Sequence, residues 1–164
     1  METWKDIKGY EEYYEVSDKG RVNNKKRKRI LKPHADSRGY LSVELGYKGK
    51  RKVIRMHQLV IQTFNPDGYF DKADVDHIDG NKHNNVLTNL EYVTHAENMR
   101  RWAIRHGETF IATSPEGEEF EYAIQADLCR DQPQLDFRHV SACLKGKLPH
   151  HKRWTFRYKE ESNG

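Results

Sequence analysis

Alternation dominates the first third of the chain. Leu41, Val43 and Leu45 take every second position in Gly39–Leu45, the period of a strand with one buried face. Arg51–Met56 can return beside it after the turn residues Gly46-Tyr47-Lys48-Gly49-Lys50, so the two segments predict a hairpin. Upstream, Tyr13, Tyr14 and Val16 form a short apolar-aromatic patch, and Ser17–Gly20 supplies turn chemistry before Arg21-Val22. Residues 1–57 therefore read as β-rich. The period then changes: His57–Phe64 carries apolar residues at 59, 60, 61 and 64, which suits a short helix packed on that sheet, and Asn65-Pro66-Asp67-Gly68 stops it.

The middle of the chain is patterned differently. Asp74–Ile78 predicts a short strand, Asp79–Thr88 a polar loop, Leu90–Val93 a second strand and Thr94–Arg105 a helix. Thr94 and Glu97 have the spacing of a capping box. Beyond it, Gly107–Glu119 contains the turn signal Ser114-Pro115-Glu116-Gly117 and reads as a linker. Ala123–Arg130 and Asp136–Lys145 predict two short helices around a break at Asp131–Gln134. In the second, Asp136 can cap, Phe137, Val140 and Leu144 mark a buried face, and Gly146 ends it. Arg138, His139, Ser141 and Lys145 then lie outward, the layout of a helix-turn-helix offering its second helix to a major groove. Trp154–Tyr158 alternates like a closing strand.

Composition narrows the class. The 164 residues are 35% hydrophobic and 33% charged, too polar for one large core and suited to small units on an open scaffold. Net charge is +4, unevenly spread: residues 1–60 balance to +8, 61–98 to −5 and 99–164 to +1. An acidic segment between basic ones suits a cation site flanked by phosphate-binding surfaces. Cys129 and Cys143 form no CxxC pair, which argues against a zinc ribbon or a disulfide framework. No apolar run approaches the about 20 residues a membrane helix needs. Residues 1–8 lack a signal-peptide apolar region, so the expected location is cytoplasmic, in a bacterial or phage-infected cell.

The chemistry concentrates at Asp76, His77, Asn89 and Asn98, with Asn89 twelve positions after His77 and Asn98 nine further on. Hydrolysis of a phosphodiester needs a base to take a proton from water, and a neutral imidazole suits that near neutral pH. It also needs a hard divalent cation, which one carboxylate and one amide oxygen can hold while water and phosphate complete its shell. Adjacent residues of an ideal strand face opposite ways, so bringing Asp76 and His77 together predicts a bend between them. Asn89 can tie down the long loop through its side chain. His95, one turn before Asn98, is a competing ligand, and His57 reads as a hydrogen-bonded structural histidine or a substrate contact.

At these residues a resemblance enters. DVDHIDGNKHNNVLTNLEYVTHAENMRRW (residues 74–102) resembles the ββα-metal core of the H-N-H endonucleases of phage and intron-encoded homing type, in its D-H pair, D-G-N-x-x-N-N loop, N-L-x-x-V-T strand and helical E-N. Trp4–Val22 is similar to the module that precedes such cores, Arg55–Pro66 to the family's H-x-L-V-x-x-x-F element, and residues 114–158 to its helix-turn-helix repeat. The resemblance implies that His77 is the general base, Asp76 and Asn98 hold the metal (Mg²⁺ or Mn²⁺), and Asn89 orients the loop. The family often has His where Asn98 stands.

The expected fold is α+β: a β-rich platform leading into the ββα-metal core over residues 1–106 (core 74–106), a linker over 107–121 and a helix-turn-helix over 122–164. The expected function is metal-dependent nicking or cutting of double-stranded DNA, leaving 5′-phosphate and 3′-hydroxyl ends, by a monomer with no small-molecule cofactor and no membrane attachment. Lys25, Lys26, Arg27, Lys28 and Arg29, then Arg100, Arg101 and Arg105, and finally Arg138, His139, Ser141 and Lys145 are the expected DNA contacts. A regulator that has kept the scaffold and lost cleavage is the alternative. An RNA-directed nuclease is disfavoured by the lack of a stacking platform.

Overall fold

The hairpin signalled by Leu41, Val43 and Leu45 is present, and it is tighter than its sequence suggested. In the computed structural model, which describes residues 1–159, Tyr47 pairs with Lys50 and only Lys48-Gly49 lie between. Both have positive φ, 47° and 75°, as the two-residue turn that matches strand twist requires. The five-residue turn expected over Gly46–Lys50 is therefore corrected to two residues.

By its internal contacts the chain divides into Met1–Thr94 and a second unit that begins at His95. In the first unit, β1 (Trp4–Asp6), β2 (Tyr14–Ser17), β3 (Val22–Asn24) and β4 (Arg29–Ile30) form an antiparallel meander. A three-stranded sheet follows, β5 (His34–Ala35), β6 (Leu41–Tyr47) and β7 (Lys50–Arg55), then helix α1 (Met56–Phe64). Next come β8 (Asp74–His77) and β9 (Leu90–Val93), a two-stranded ribbon. Helix α1 is the hub. Met56, Leu59, Val60 and Ile61 are all at most 5% exposed and join Val16, Val22, Val43, Leu45 and Leu90 in one core. Each such apolar side chain contributes about 1.5–3 kcal/mol of burial free energy. The ribbon is thus seated against α1 and the sheets before any functional group is considered.

The second unit opens with α2 (His95–Arg105), which follows β9 after Thr94 and completes the expected order of strand, loop, strand, helix. Its sheet is β11-β10-β12, from β10 (Phe110–Thr113), β11 (Glu119–Tyr122) and β12 (Thr155–Tyr158). Helices α3 (Gln125–Asp131) and α4 (Phe137–Leu144) pack with it around Leu128, Leu135, Val140 and Trp154. Residues 107–121, read as a linker, instead supply two strands. Phe110, Ile111 and Ala112 are consecutive and all buried, so the run shows no alternation and its strand signal was lost.

Helix α4 is capped as expected, the Asp136 carboxylate accepting from the amides of Arg138 and His139. Its buried face differs from expectation: Val140 and Cys143 are buried, whereas Phe137 is 53% exposed. Helix α3 begins at Gln125, with Ile124 at the cap position and no side-chain hydrogen bond there. Among the described residues, no helix is long and apolar enough to cross a membrane.

Candidate active site

Pairing of β8 with β9 is regular to the end. Asp76 lies opposite Glu91, His77 opposite Leu90, and the amide of Ile78 still donates to the Asn89 carbonyl. The bend expected between Asp76 and His77 is therefore absent, because ladder hydrogen bonds hold both residues in the strand. The turn comes one step later, where the Gly80 amide donates to the His77 carbonyl. Alternation then sends the two side chains to opposite faces of the ribbon. Both are buried, Asp76 to 6% and His77 to 3% exposure.

The loop from Asp79 to Thr88 is held by its own polar side chains. The Asn89 amide donates to the Asp79 carboxylate (2.9 Å) and to the Asn84 carbonyl (2.8 Å), and its oxygen accepts from the Asp79 amide. Asp79 also accepts from the side chain of Asn84 and the amide of Asn81. These donors, Asn84 foremost, hold the Asp79 carboxyl well below the usual range, at about 2.

His77 sits in an environment that its sequence neighbours did not announce. Its Nε2 lies 3.1 Å from Oδ1 of Asn85, a residue only 4% exposed. The amide nitrogen of Asn85 donates to the His83 carbonyl, which fixes the oxygen toward the imidazole. An amide oxygen only accepts, so Nε2 is the donor of this pair, and in a neutral ring the lone pair is then on Nδ1. Beside it, the ring of His57 stands 5.1 Å from that of His77, edge to face, and Tyr40 lies 4.9 Å from His57 and 6.1 Å from His77. His57 is 3% exposed and its Nδ1 has no hydrogen-bond partner among the described residues. Burial, reinforced by His77 and Arg55, pushes its pKa down to about 3, so it is neutral. Arg55 and Lys82 lie over the Tyr40 ring at 4.5 and 4.7 Å.

Asn85 and Tyr40 were not picked out as parts of the site, and His57 was expected as a hydrogen-bonded structural histidine or a substrate contact, not as a neighbour of the His77 ring. Asn84-Asn85 reads as two equivalent turn formers, and only tertiary burial separates the member that meets His77. The His-x-Leu-Val pattern marked His57 as internal, but not what its ring would touch.

The remaining expected residues fall on separate surfaces. Lys25–Lys28 form the turn between β3 and β4, with Arg29 opening β4. Lys25 pairs with Asp6 at 2.7 Å. Lys26, Arg27 and Arg29 instead line a groove of about 490 Å³ with Arg51 and Tyr13. In the second unit, Asn98 is half-buried on α2. Arg100 forms a two-pronged pair with Asp127 of α3, at 2.5 and 2.7 Å, and also meets Glu97. The guanidinium holds the Asp127 carboxyl below its ordinary range. Arg100 is thus engaged in joining two helices, which accounts for α2 grouping with the second unit. Arg101 pairs with Glu97 at 3.0 Å, and Arg105 is exposed. On α4, Arg138 is exposed and Ser141 half-buried, and Lys145, which follows the helix as its C-cap, is exposed. His139 bonds the capping Asp136 at 2.9 Å and stacks on His151 at 4.7 Å.

Among the described residues, no three His, Cys, Asp or Glu side chains gather as a multi-ligand metal centre would require. What the chain offers a cation is a buried carboxylate and amide oxygens, the hard donors that suit Mg²⁺ or Mn²⁺.

Comparison with known proteins agrees along the chain. A NUMOD4 motif matches residues 2–46, and an HNH endonuclease family matches residues 55–100. DNA endonuclease I-HmuI of Bacillus phage SP01 is 38% identical over 171 residues, covering 95% of this chain and 97% of that protein. H-N-H endonuclease F-TflII of Escherichia phage T5 is 32% identical over 110 residues, 66% of this chain and 56% of that protein. A solved structure described as "DNA binding and cleavage by the HNH homing endonuclease I-HmuI" superposes with a TM-score of 0.59 at 38% identity, over 99% of each chain.

Proposed function

The chain belongs to the HNH endonuclease family, and from that premise we propose that it hydrolyses duplex DNA as a homing-type endonuclease with His77 as its general base. The observation that carries the assignment is the pairing of His77 Nε2 with Asn85 Oδ1, which leaves Nδ1 as the lone-pair nitrogen. His77 takes a proton from water at Nδ1. The water oxygen attacks phosphorus, the bond to the 3′ oxygen breaks, and that oxygen takes up a proton from solvent, so the ends are a 5′-phosphate and a 3′-hydroxyl.

Asp76 and Asn98 are the residues that would hold a divalent cation, Mg²⁺ or Mn²⁺. When bound, the cation neutralises charge developing on the departing 3′ oxygen. Asn89 keeps the loop between the strands in place through its bonds to Asp79 and Asn84.

DNA is gripped first by charge. Lys26, Arg27 and Arg29 on the N-terminal turn, Arg105, and Arg138 on α4 and Lys145 at its C-cap are the cations offered to phosphates, supplying affinity without sequence reading. Lys25, Lys28, Arg101, His139 and Ser141 complete the same surfaces. A monomer with one such site nicks one strand per binding event.

The test is nicking of a supercoiled plasmid carrying the DNA that flanks the protein's own reading frame. Wild type should nick with Mg²⁺ or Mn²⁺ and stop with EDTA. His77→Ala should lose about 10²–10⁴-fold in rate while binding the plasmid normally. Equal nicking by wild type and His77→Ala would refute the assignment of the base.

A further inference from the structure

The N-terminal meander reaches the catalytic loop at one point. Between β2 and β3 the chain turns through Ser17–Gly20. The Asp18 carbonyl accepts from the amide of Leu87, just past the Asn84-Asn85 pair. At Gly20 the approach is closer still. A Cβ there would stand 2.7 Å from the carbonyl oxygen of Asn85 and 2.9 Å from its Cβ. Real side chains do not tolerate such separations from backbone, so the turn and Asn85 fit only because residue 20 is glycine.

The turn itself is rigid. Ser17 is fully buried, and its hydroxyl accepts from the amides of Lys19 and Arg21. Its backbone carbonyl accepts from Gly20 and its amide donates to Arg21. Asp18 is bonded on both sides to Thr3, amide to carbonyl and carboxylate from amide. Asn85 is therefore pressed between a fixed turn behind it and the imidazole of His77 in front.

We propose that the β2–β3 turn of the N-terminal module is a positioning element for catalysis, acting through Asn85 to hold the His77 ring and its tautomer. The proposal rests on the reading of His77 as base, and gives the module a role in the rate beyond any contact with DNA. Gly20 and Asn85 are positioning residues: neither meets the reacting atoms. The chain of contacts is Gly20 backbone against Asn85 backbone, then Asn85 Oδ1 against His77 Nε2.

The experiment is single-turnover nicking by the full chain on the plasmid described above, with plasmid affinity measured in parallel and folding followed by circular dichroism. Asn85→Leu removes the acceptor and should slow nicking by about 100-fold, the upper range for a partner that orients a reacting group, with affinity unchanged within about twofold. Asn85→Asp keeps an oxygen acceptor and should recover about tenfold of that loss. Gly20→Ala should slow nicking about tenfold by shifting Asn85.

Gly9 supplies the control: its φ of 81° resembles the 73° of Gly20, but nothing lies within 4 Å of its added Cβ. Gly9→Ala carries the same backbone penalty and should nick at the wild-type rate. The double variant Gly20→Ala/Asn85→Leu should be no slower than Asn85→Leu alone, since both act on one link. Should Gly20→Ala fail to fold, Ser17→Ala loosens the same turn and carries the same expectation at about threefold.

If His77→Ala is inactive while Asn85→Leu nicks at the wild-type rate, the positioning role falls and the base assignment survives. Equal losses in Gly9→Ala and Gly20→Ala, or additive losses in the double variant, would likewise overturn it. Activity in His77→Ala would instead remove the premise.

Discussion

Acidification should destabilise the first unit through a single buried imidazole. His57 is 3% exposed, its Nδ1 lacks a partner among the described residues, and its pKa in the folded chain is about 3 against 6.5 in the open. Between those values the unfolded chain holds one more proton than the folded one. Stability therefore rises with pH across this window and falls as pH drops through 6.5, levelling off near 3. Integrated from pH 7 to pH 4, the loss is about 3 kcal/mol, a sizeable share of the 5–15 kcal/mol typical of a domain. His57→Phe keeps an aromatic ring against Tyr40 and His77 and removes the titration. Urea unfolding of wild type and His57→Phe at pH 7, 6, 5 and 4 isolates the effect as a difference of slopes, whatever other groups titrate. The variant's absolute stability at pH 7 does not enter. Wild type should lose about 3 kcal/mol more than His57→Phe over that range. Parallel slopes would show that His57 titrates alike folded and unfolded, and the picture of a dry, neutral histidine beside His77 would be wrong.

Three further outcomes are expected. Asp127→Asn weakens the two-pronged pair with Arg100, whose side chain is 30% exposed, and should cost the second unit about 1–2 kcal/mol in a thermal or urea melt. Replacing Lys26, Arg27, Arg29 and Arg51 together by Gln should flatten the dependence of log affinity on log salt by roughly 1 per lost phosphate contact, with the nicking rate at saturating protein unchanged. Asp79→Ala should quicken amide exchange in residues 79–85 roughly tenfold at pH 7. Because the Asp79 carboxyl titrates near 2 when folded and 3.8 when free, its bonds stabilise the loop fully above pH 4 and are lost as pH falls toward 2.

The sequence was most legible where a residue's identity is its chemistry. Asp76, His77, Asn89 and Asn98 stand at family spacing, and the element order around them follows from strand and helix periods. It was least legible where burial removes the pattern. Phe110-Ile111-Ala112 is covered on both faces and so shows no alternation, which turned a central strand into an apparent linker. Phe137 has helical spacing from Val140 yet is 53% exposed, because the helix turns Val140 and Cys143 inward instead. Asn84 and Asn85 are chemically identical neighbours, and only burial and the contact of its oxygen with His77 set Asn85 apart. Arg100 reads as a DNA contact from its place beside Asn98, but Asp127 is 27 positions away and invisible to any local window.

These supports divide the way the proposed chemistry divides. Everything found around His77 belongs to the first unit: Asn85 on its Nε2, His57 and Tyr40 beside its ring, and the Ser17–Gly20 turn behind Asn85. The helix carrying Asn98 is braced by the second unit instead, where Asp127 of α3 grips Arg100 two residues further along. Substitutions in the two units should therefore produce different kinetic defects. Loosening the first disturbs proton abstraction, which added metal does not restore. Loosening α2 through Asp127→Asn disturbs Asn98, the proposed metal ligand, so the Mg²⁺ concentration for half-maximal nicking should rise by about tenfold, with the rate recovered at saturation. A magnesium titration of Asp127→Asn beside Asn85→Leu separates the two. If both variants respond to metal alike, His77 and Asn98 are not independently supported, and the separation drawn between their supports is mistaken.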